Sequence, residues 1–181
     1  QIRSLSDGQA ARLSAASVGA LSVNQLRALE SNDLVALRAK IQSSQISALT
    51  DDQIQSLASD QVGALTTGQV ASLSTSQIAA LSSTQAGALT SAQVRALSTT
   101  QLQSLSNAAV TALTTSAVAA LSTTQVAALG TEQIRSLSDT QIDSLTSTQV
   151  RSLTAQQVRA LETYDVAAVA TNRQSAQVQA L

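Results

Sequence analysis

Aliphatic side chains recur along the chain with a period of eight residues. Leu occupies every eighth position from 5 to 37 and again from 49 to 161. Counting this Leu as slot one, slot two is mostly Ser or Thr, slot five mostly Gln, slot six Val, Ile or Leu, and slot eight mostly Ala or Ser; one clear copy spans Leu121 to Ala128. The pattern predicts that slots six, eight and one face a core, and that the variable slot seven faces water.

Neither one long helix nor a strand fits this period. An α-helix advances by about 100° per residue, so the apolar stripe would rotate by about 80° in each unit and circle the helix within about five units. A strand needs strict alternation, but slots one and six have opposite parity. The few glycines, the absence of Pro and the abundance of Ala, Gln and Leu also disfavour a β-solenoid.

Slots two and five predict that a new helix begins in every unit. Ser or Thr followed three residues later by Gln is a capping box, and the aliphatic residues at slots one and six form the accompanying hydrophobic staple. Gly130 stands in slot two and is a tolerated cap. The clearest predicted capping pairs are Ser74 with Gln77, Ser98 with Gln101, and Ser122 with Gln125.

Helices this short are not stable alone and must pack on neighbouring coils. We therefore predict an all-α fold, a solenoid or superhelix of short capped helices with one helix per eight-residue repeat. Small residues at slot eight would let successive coils approach closely. The predicted structural core includes Leu73, Leu81, Leu97, Leu121, Val126, Leu129 and Ile134.

A second, longer period overlies the first. The eight-residue unit, or octad, is lengthened by four residues between Leu37 and Leu49 and again between Val169 and Leu181, and we call each of these places a slip. When the chain is aligned with itself at an offset of 132 residues, 23 of the first 49 positions are identical. We predict one module over residues 1–132, with a four-residue insert near 38–41, and the start of the next module over 133–181, with an insert near 170–173. The slot-two cap is missing at both slips, which predicts longer helices over 31–41 and 163–171.

A pair of carboxylates precedes each slip. Glu30 and Asp33 have their counterparts in Glu162 and Asp165. Each pair could share a helix face and hold a cation, but two carboxylates make a poor calcium site. Charge–dipole stabilisation near a predicted helix start explains them better. These four residues are candidates for a lateral contact between chains.

Composition argues against catalysis. The chain has no Cys, His, Met, Trp or Phe, and Tyr164 is its one aromatic residue. It therefore lacks a thiol nucleophile, a side chain that titrates near neutrality and the ligands of a soft metal site. We expect no enzyme activity, no cofactor and no small-molecule substrate.

Net charge and hydropathy indicate which classes of binding partner to expect. A net charge of -1 and sparse slot-seven arginines do not predict nucleic-acid binding, and no apolar run is long enough to span a membrane. Arg95 is the one charged residue between 61 and 131, so this stretch is poorly protected against self-association, as a homo-oligomer or a filament. The repeat is already in progress at Gln1, and we expect the sequence to be a segment of a longer polypeptide.

The unit Leu-Ser/Thr-x-x-Gln-Val/Ile-x-Ala resembles the octapeptide repeats of very large bacterial surface proteins, which are described as adhesin-like or haem-utilisation proteins. The resemblance covers nearly the whole chain. It implies a secreted or surface-anchored array, located outside the cell or at its surface and used as a stalk or fibre. Haem-binding residues do not carry over, because His, Met and Cys are absent.

Three functions are compatible with these features. The first is a structural segment of an extracellular bacterial fibre, stalk or adhesin-like filament. The second is an α-solenoid that binds a peptide, glycan or nucleic acid through slots three, four and seven. The third is an ice-binding array built from paired threonines such as Thr99-Thr100 and Thr123-Thr124.

Overall fold

The computed structural model describes residues 7–22, 24–25, 37, 40 and 43–161, and over these residues the chain is a solenoid of short helices without strands. The all-α prediction, with one capped helix per octad, is confirmed. The helices are α1 (Asp7–Arg12), α2 (Ala15–Gly19), α3 (Ser43–Ile46), α4 (Asp51–Gln55), α5 (Ser59–Gly63), α6 (Thr67–Ala71), α7 (Thr75–Ala79), α8 (Ser83–Gly87), α9 (Ser91–Ala96), α10 (Thr99–Ser104), α11 (Asn107–Ala112), α12 (Thr115–Ala119), α13 (Thr123–Ala128), α14 (Thr131–Arg135), α15 (Asp139–Asp143), α16 (Ser147–Ser152) and α17 (Ala155–Leu161).

Each helix ends where the next cap begins. In α10, for example, Ser98 is the N-cap residue with extended backbone (φ -69°, ψ 163°), and its side chain accepts a hydrogen bond from Gln101 N. After Ser104 the chain becomes extended at Leu105, whose N–H still bonds to Leu102 O at 3.2 Å. The slot-two residue that follows Leu105 then caps the next helix, so the chain bends once in every unit.

The core is a continuous column of slot-one and slot-six side chains. Between residues 46 and 153 the slot-six residues are almost fully buried, as shown by Val126 and Ile134 at 0% exposure, and the slot-one leucines are nearly so. Leu13, Leu21 and Val158, nearer the ends, are partly buried. All seven core candidates from the sequence lie in this column: Leu73, Leu81, Leu97, Leu121, Val126, Leu129 and Ile134.

Slot eight differs from the expectation that it faces the core. Residues such as Ala112, Ala120 and Ala128 are only half-buried, because they lie at the ends of the helices, beside the coil above. The third inward position is slot five instead, where Gln77 and Gln93 are each 1% exposed. Slot seven is mostly exposed, as expected.

The superhelix takes between three and four helices for each turn. Every helix from α3 to α14 packs against the helix three places further along the chain. Side-chain hydrogen bonds between coils reach 28 to 31 residues, from Gln77 to Leu49 and Ile46 for example. This interval falls between three and four octads.

Two glycines at slot seven mark the closest approach between coils. A Cβ atom on Gly63 would lie 2.8 Å from Ala88 O, and one on Gly87 would lie 2.9 Å from Ala112 O. Both acceptors are slot-eight carbonyl groups of the coil above. Helices α5, α8 and α11 therefore stack closely because their contact positions carry small side chains.

Several sequence-based predictions fall outside the described residues. Glu30, Asp33, Glu162 and Asp165 all lie there, as does the second insert near 170–173. Of the first insert, near 38–41, only Lys40 is described, and of the longer helices predicted over 31–41 and 163–171 only residues 37 and 40. The division into modules 1–132 and 133–181 stays a prediction.

Replacing Leu97 by Ala should lower the free energy of unfolding by about 2–5 kcal/mol, because this side chain is 3% exposed and its removal leaves a cavity in the column. Urea unfolding followed by far-UV circular dichroism measures the loss. The control is Ala92→Ser at an exposed slot four of the preceding unit, with an expected change within about 0.5 kcal/mol. An unchanged midpoint for Leu97→Ala would contradict the packed column.

Replacing Gly87 by Ala should destabilise the fold by about 1–3 kcal/mol, since the new methyl group meets a backbone oxygen and α8 must move away from α11. The contrasting variant is Gly130→Ser. It has open space apart from Gln133 Oε1 at 3.6 Å and adds a cap hydroxyl, so it should be neutral or stabilising by roughly a few tenths of a kcal/mol. Thermal unfolding of both variants tests the contrast, and a Gly87→Ala protein as stable as the parent would refute the close contact.

Candidate functional site

The most regular polar feature of the molecule is a row of buried glutamines at slot five, which we call the glutamine ladder. Each member is 1–8% exposed. A buried primary amide has two N–H donors and an accepting oxygen, and leaving them unpaired is costly. The ladder consists of Gln45, Gln69, Gln77, Gln85, Gln93, Gln101, Gln125, Gln133, Gln141, Gln149 and Gln157.

From Gln69 to Gln157, the oxygen of each ladder amide serves its own helix. Gln77 Oε1 accepts a hydrogen bond from Ser74 N at 2.7 Å, while Ser74 Oγ accepts one from Gln77 N at 3.1 Å. The other two predicted capping pairs have the same geometry. Ser98 N donates to Gln101 Oε1 at 2.7 Å and Ser122 N donates to Gln125 Oε1 at 2.8 Å, with the return bonds at 3.2 and 3.1 Å.

The nitrogen of the same amide serves the preceding turn of the superhelix. Gln77 Nε2 donates to Leu49 O at 2.7 Å and to Ile46 O at 3.1 Å. Gln125 Nε2 donates to Leu97 O at 2.8 Å and to Val94 O at 3.2 Å. The slot-one bond, 28 residues back along the chain, recurs with lengths of 2.6–2.8 Å from Gln85, Gln93, Gln101, Gln133, Gln141, Gln149 and Gln157.

These bonds solve a problem that short helices create. The last carbonyl groups of any helix have no partner within it, and in a helix of five or six residues they are a large share of the backbone. The ladder amides cover carbonyl groups at the helix end and at the following slot one, inside the core where water does not reach. From Gln77 to Gln157, each ladder glutamine thus caps the start of its own helix and the end of a helix one turn earlier.

Near the octad slip the ladder bond still joins a glutamine Nε2 to a backbone carbonyl group, but it spans fewer residues of the chain. Gln45 Nε2 donates to Val18 O at 2.9 Å and to Leu21 O at 3.3 Å, which are 27 and 24 residues back. The turn that ends at Gln45 therefore contains four residues fewer than the later turns. Beside it, Lys40 Nζ donates to Leu13 O at 2.7 Å, so an ammonium group takes a slot-one carbonyl as the ladder amides do elsewhere.

Two slot-seven side chains add further bonds at the outer surface. Gln103 Nε2 donates to Ala128 O at 2.8 Å, and Thr111 Oγ1 donates to Ser136 O at 2.7 Å. Both acceptors are slot-eight carbonyl groups, the same groups that approach Gly63 and Gly87 in other coils. The variable slot seven, expected to face water, also adjusts the spacing between turns.

Charged groups contribute little to this arrangement. Arg135 and Glu132 form an exposed ion pair at 2.7 Å, and such pairs add about 0–1 kcal/mol. In the described part of the chain, no group of three or more acidic, His or Cys side chains is placed to hold a metal ion. No helix in that part has the length and hydropathy to cross a bilayer.

The sequence analysis identified the slot-five glutamines as caps but missed their second bond. The capping box accounts for the amide oxygen alone, and nothing in a single unit indicates where the nitrogen points. A usable signal is present, however. Glu would also form a capping box, yet no slot-five position in the chain holds Glu, and the two that hold a carboxylate, Asp33 and Asp165, stand just before the slips.

Replacing Gln93 by Glu should produce a stability defect that grows with pH. The substitution puts a carboxylate oxygen where Nε2 now lies 2.7 Å from Leu65 O, in a site that is 1% exposed. Burial and the facing carbonyl group raise the pKa of the new carboxyl above its ordinary value of about 4.3. With the folded pKa above the unfolded one, stability is retained below the unfolded value and lost as pH rises through the folded value.

Urea unfolding of Gln93→Glu and the parent protein between pH 3.5 and 8 checks this expectation, with a deficit of about 3 kcal/mol or more at neutral pH. The matched control is Gln103→Glu, which changes an exposed amide with one bond to the next turn. Its deficit should stay below about 1 kcal/mol and change little with pH. Equal behaviour of the two variants would show that the ladder amide is not needed as a donor.

The repeat unit also places the chain among known sequences. A family model described as the ALTTAQ repeat matches residues 24–67, 39–75, 64–99, 91–123 and 118–155. Its name follows slots eight, one, two, three, four and five, as in the segment from Ala88 to Gln93. No curated protein and no solved structure gives a significant match. By its sequence matches, which together extend over residues 24–155, the chain belongs to the ALTTAQ repeat family.

Proposed function

We propose that this chain is a structural segment of an extracellular bacterial fibre, stalk or adhesin-like filament and that it catalyses no reaction. The observation that carries the proposal is the glutamine ladder. Each turn is fastened to the preceding one by the same side-chain bonds, for example Gln133 Nε2 to Leu105 O at 2.8 Å and Gln141 Nε2 to Leu113 O at 2.7 Å. A structure held together only by contacts between adjacent turns can be lengthened without changing any local geometry.

The surface supports assembly with other copies. Helices α6 to α13 expose Ser, Thr, Ala, Gly and Gln side chains and a single charge, that of Arg95. Because these helices complete more than one turn, the uncharged surface surrounds the superhelix. Like-charge repulsion, which keeps soluble proteins apart, is therefore weak along this stretch. Self-association into a homo-oligomer or filament fits such a surface better than recognition of nucleic acid or of a small substrate.

The location outside the cell rests on the resemblance to repeats of large bacterial surface proteins. The fold is suited to that setting, since the sequence has no His or Cys and the core depends on aliphatic packing and neutral amide bonds. Neutral hydrogen bonds are insensitive to the salt and pH changes that a surface structure meets.

Electron microscopy of the purified full-length protein, and of the surface of the cells that make it, tests the proposal. We expect uniform filaments whose axial repeat matches the 132-residue module, present on producing cells and absent from cells that lack the protein. Discrete soluble particles and bare cell surfaces would overturn the structural function.

A pair of charge variants separates lateral assembly from folding. Ala92→Lys with Ser116→Lys places two charges at exposed slot-four positions of the uncharged stretch. These changes should reduce bundling in the micrographs and leave the circular dichroism spectrum unchanged. The control is Gln156→Lys, at an exposed slot four near Arg159, which should leave bundling as it is. Equal bundling by all three proteins would contradict lateral packing through this surface.

A further inference from the structure

Between Gln101 and Gln125 the glutamine ladder is interrupted at two successive units. Slot five holds Ala109 in α11 and Ala117 in α12, and both residues are fully buried at 0% exposure. The Ser106 and Thr114 side chains still accept hydrogen bonds from Ala109 N and Ala117 N, both at 3.1 Å. The start of each helix is therefore capped, but alanine has no amide to reach the preceding turn.

The carbonyl groups that two ladder amides would cover are left without that bond. By the 28-residue spacing they belong to Leu81 and Leu89, whose residues are only 4% and 2% exposed. In the described part of the chain no N–H or O–H group donates to either oxygen, whereas Leu73 O and Leu97 O each receive a ladder amide. Two neighbouring acceptors thus lack the side-chain amide that joins the turns elsewhere, which removes two bonds between adjacent turns.

The same contact also has the smallest slot-six side chain. Slot six holds Ala86, whereas every other slot six in the described helices from α4 to α17 is Val, Ile or Leu. Ala86 is completely buried, so the column loses apolar contact area at this position. The loss of packing and the loss of two amide bonds thus occur at the same contact between turns, that of residues 78–89 with residues 109–117, which we call the seam.

The coils lie close together at this contact, as they also do at Gly63, where the ladder is intact. Gly87 follows Ala86, and the backbone of α8 approaches Ala112 O so closely that a Cβ atom would lie 2.9 Å from it. Cohesion here depends on short-range contacts between small groups. Such contacts vanish after a small separation, and in the described part of the chain no side-chain hydrogen bond joins residues 78–89 to residues 109–117.

We propose that the seam between residues 78–89 and residues 109–117 is a built-in yield point, where adjacent turns of the superhelix separate first under load or denaturant. The seam concentrates the opening of the solenoid in one turn and leaves the turns with an intact ladder closed. The inference concerns the order in which turns separate, and it holds whether or not the protein forms a fibre. Failure of the filament test would leave it standing.

Native-state hydrogen exchange of the full chain, followed by mass spectrometry at increasing urea concentrations, tests the yield point. Peptides that cover 78–89 and 109–117 should exchange about tenfold faster, at low urea, than peptides that cover 62–73 and 125–137. Uniform exchange along the chain, or slower exchange at the seam, would overturn the proposal.

Two kinds of variant make the test specific. Ala109→Gln with Ala117→Gln restores the donors and should bring exchange at the seam to the level of its neighbours. If the close approach of α8 and α11 prevents both glutamines from fitting, Ala117→Gln alone, in α12, should slow the exchange around Leu89 in the same direction. Faster or unchanged exchange in Ala117→Gln would count against the proposal.

The matched loss-of-ladder variant is Gln125→Ala with Gln133→Ala. It removes the amides that donate to Leu97 O and Leu105 O at 2.8 Å. We expect a second fast-exchanging seam over residues 94–105 and 125–133. If exchange there stays slow, the missing amides are not what makes a turn separate, and the proposal fails.

Discussion

The structure depends on a side-chain amide that is used at both of its ends. Helices of five or six residues leave so many backbone groups unpaired that the solenoid would be unstable if those groups were simply buried. The oxygen of a residue such as Gln149 accepts from Thr146 N, and its nitrogen donates to Leu121 O one turn earlier, both at 2.7 Å. Because one side chain satisfies the start of one helix and the end of another, the superhelix can be built from elements that could not fold singly.

The fold was accessible from the sequence because its signals lie within one unit. Leu at slot one, Ser or Thr at slot two, Gln at slot five and an aliphatic residue at slot six form a box and a staple that any eight residues display. The ladder was not accessible in the same way, since its second bond joins residues 28 or more apart and depends on the number of helices per turn. That number follows from packing angles, which the periodicity of one unit does not determine. The inward direction of slot five, in place of slot eight, is a consequence of the same long-range geometry.

The absence of Glu at slot five has a physical explanation in these contacts. For a capping box alone Glu would be favoured, because its negative charge is stabilised at a helix N-terminus. A carboxylate would, however, face Leu65 O in the position that Gln93 Nε2 occupies, within the buried core. Two oxygens would then meet without a proton between them, and a charge would be desolvated. The need for a donor to the preceding turn thus outweighs the local preference for Glu at the helix start.

The ladder also explains how the array tolerates irregular units. Aliphatic packing alone does not define a register, because slots one and six offer similar apolar surfaces in every unit. The amide bonds define it through particular carbonyl groups, and they do so whether the intervening chain is long or short. Gln45 reaches Val18 O across 27 residues where Gln77 reaches Ile46 O across 31, and Lys40 supplies a donor to Leu13 O beside the shortened turn. What each turn must provide is a donor at the slot-one carbonyl of the turn before it, rather than a fixed number of residues, and a turn without that donor is held by packing alone.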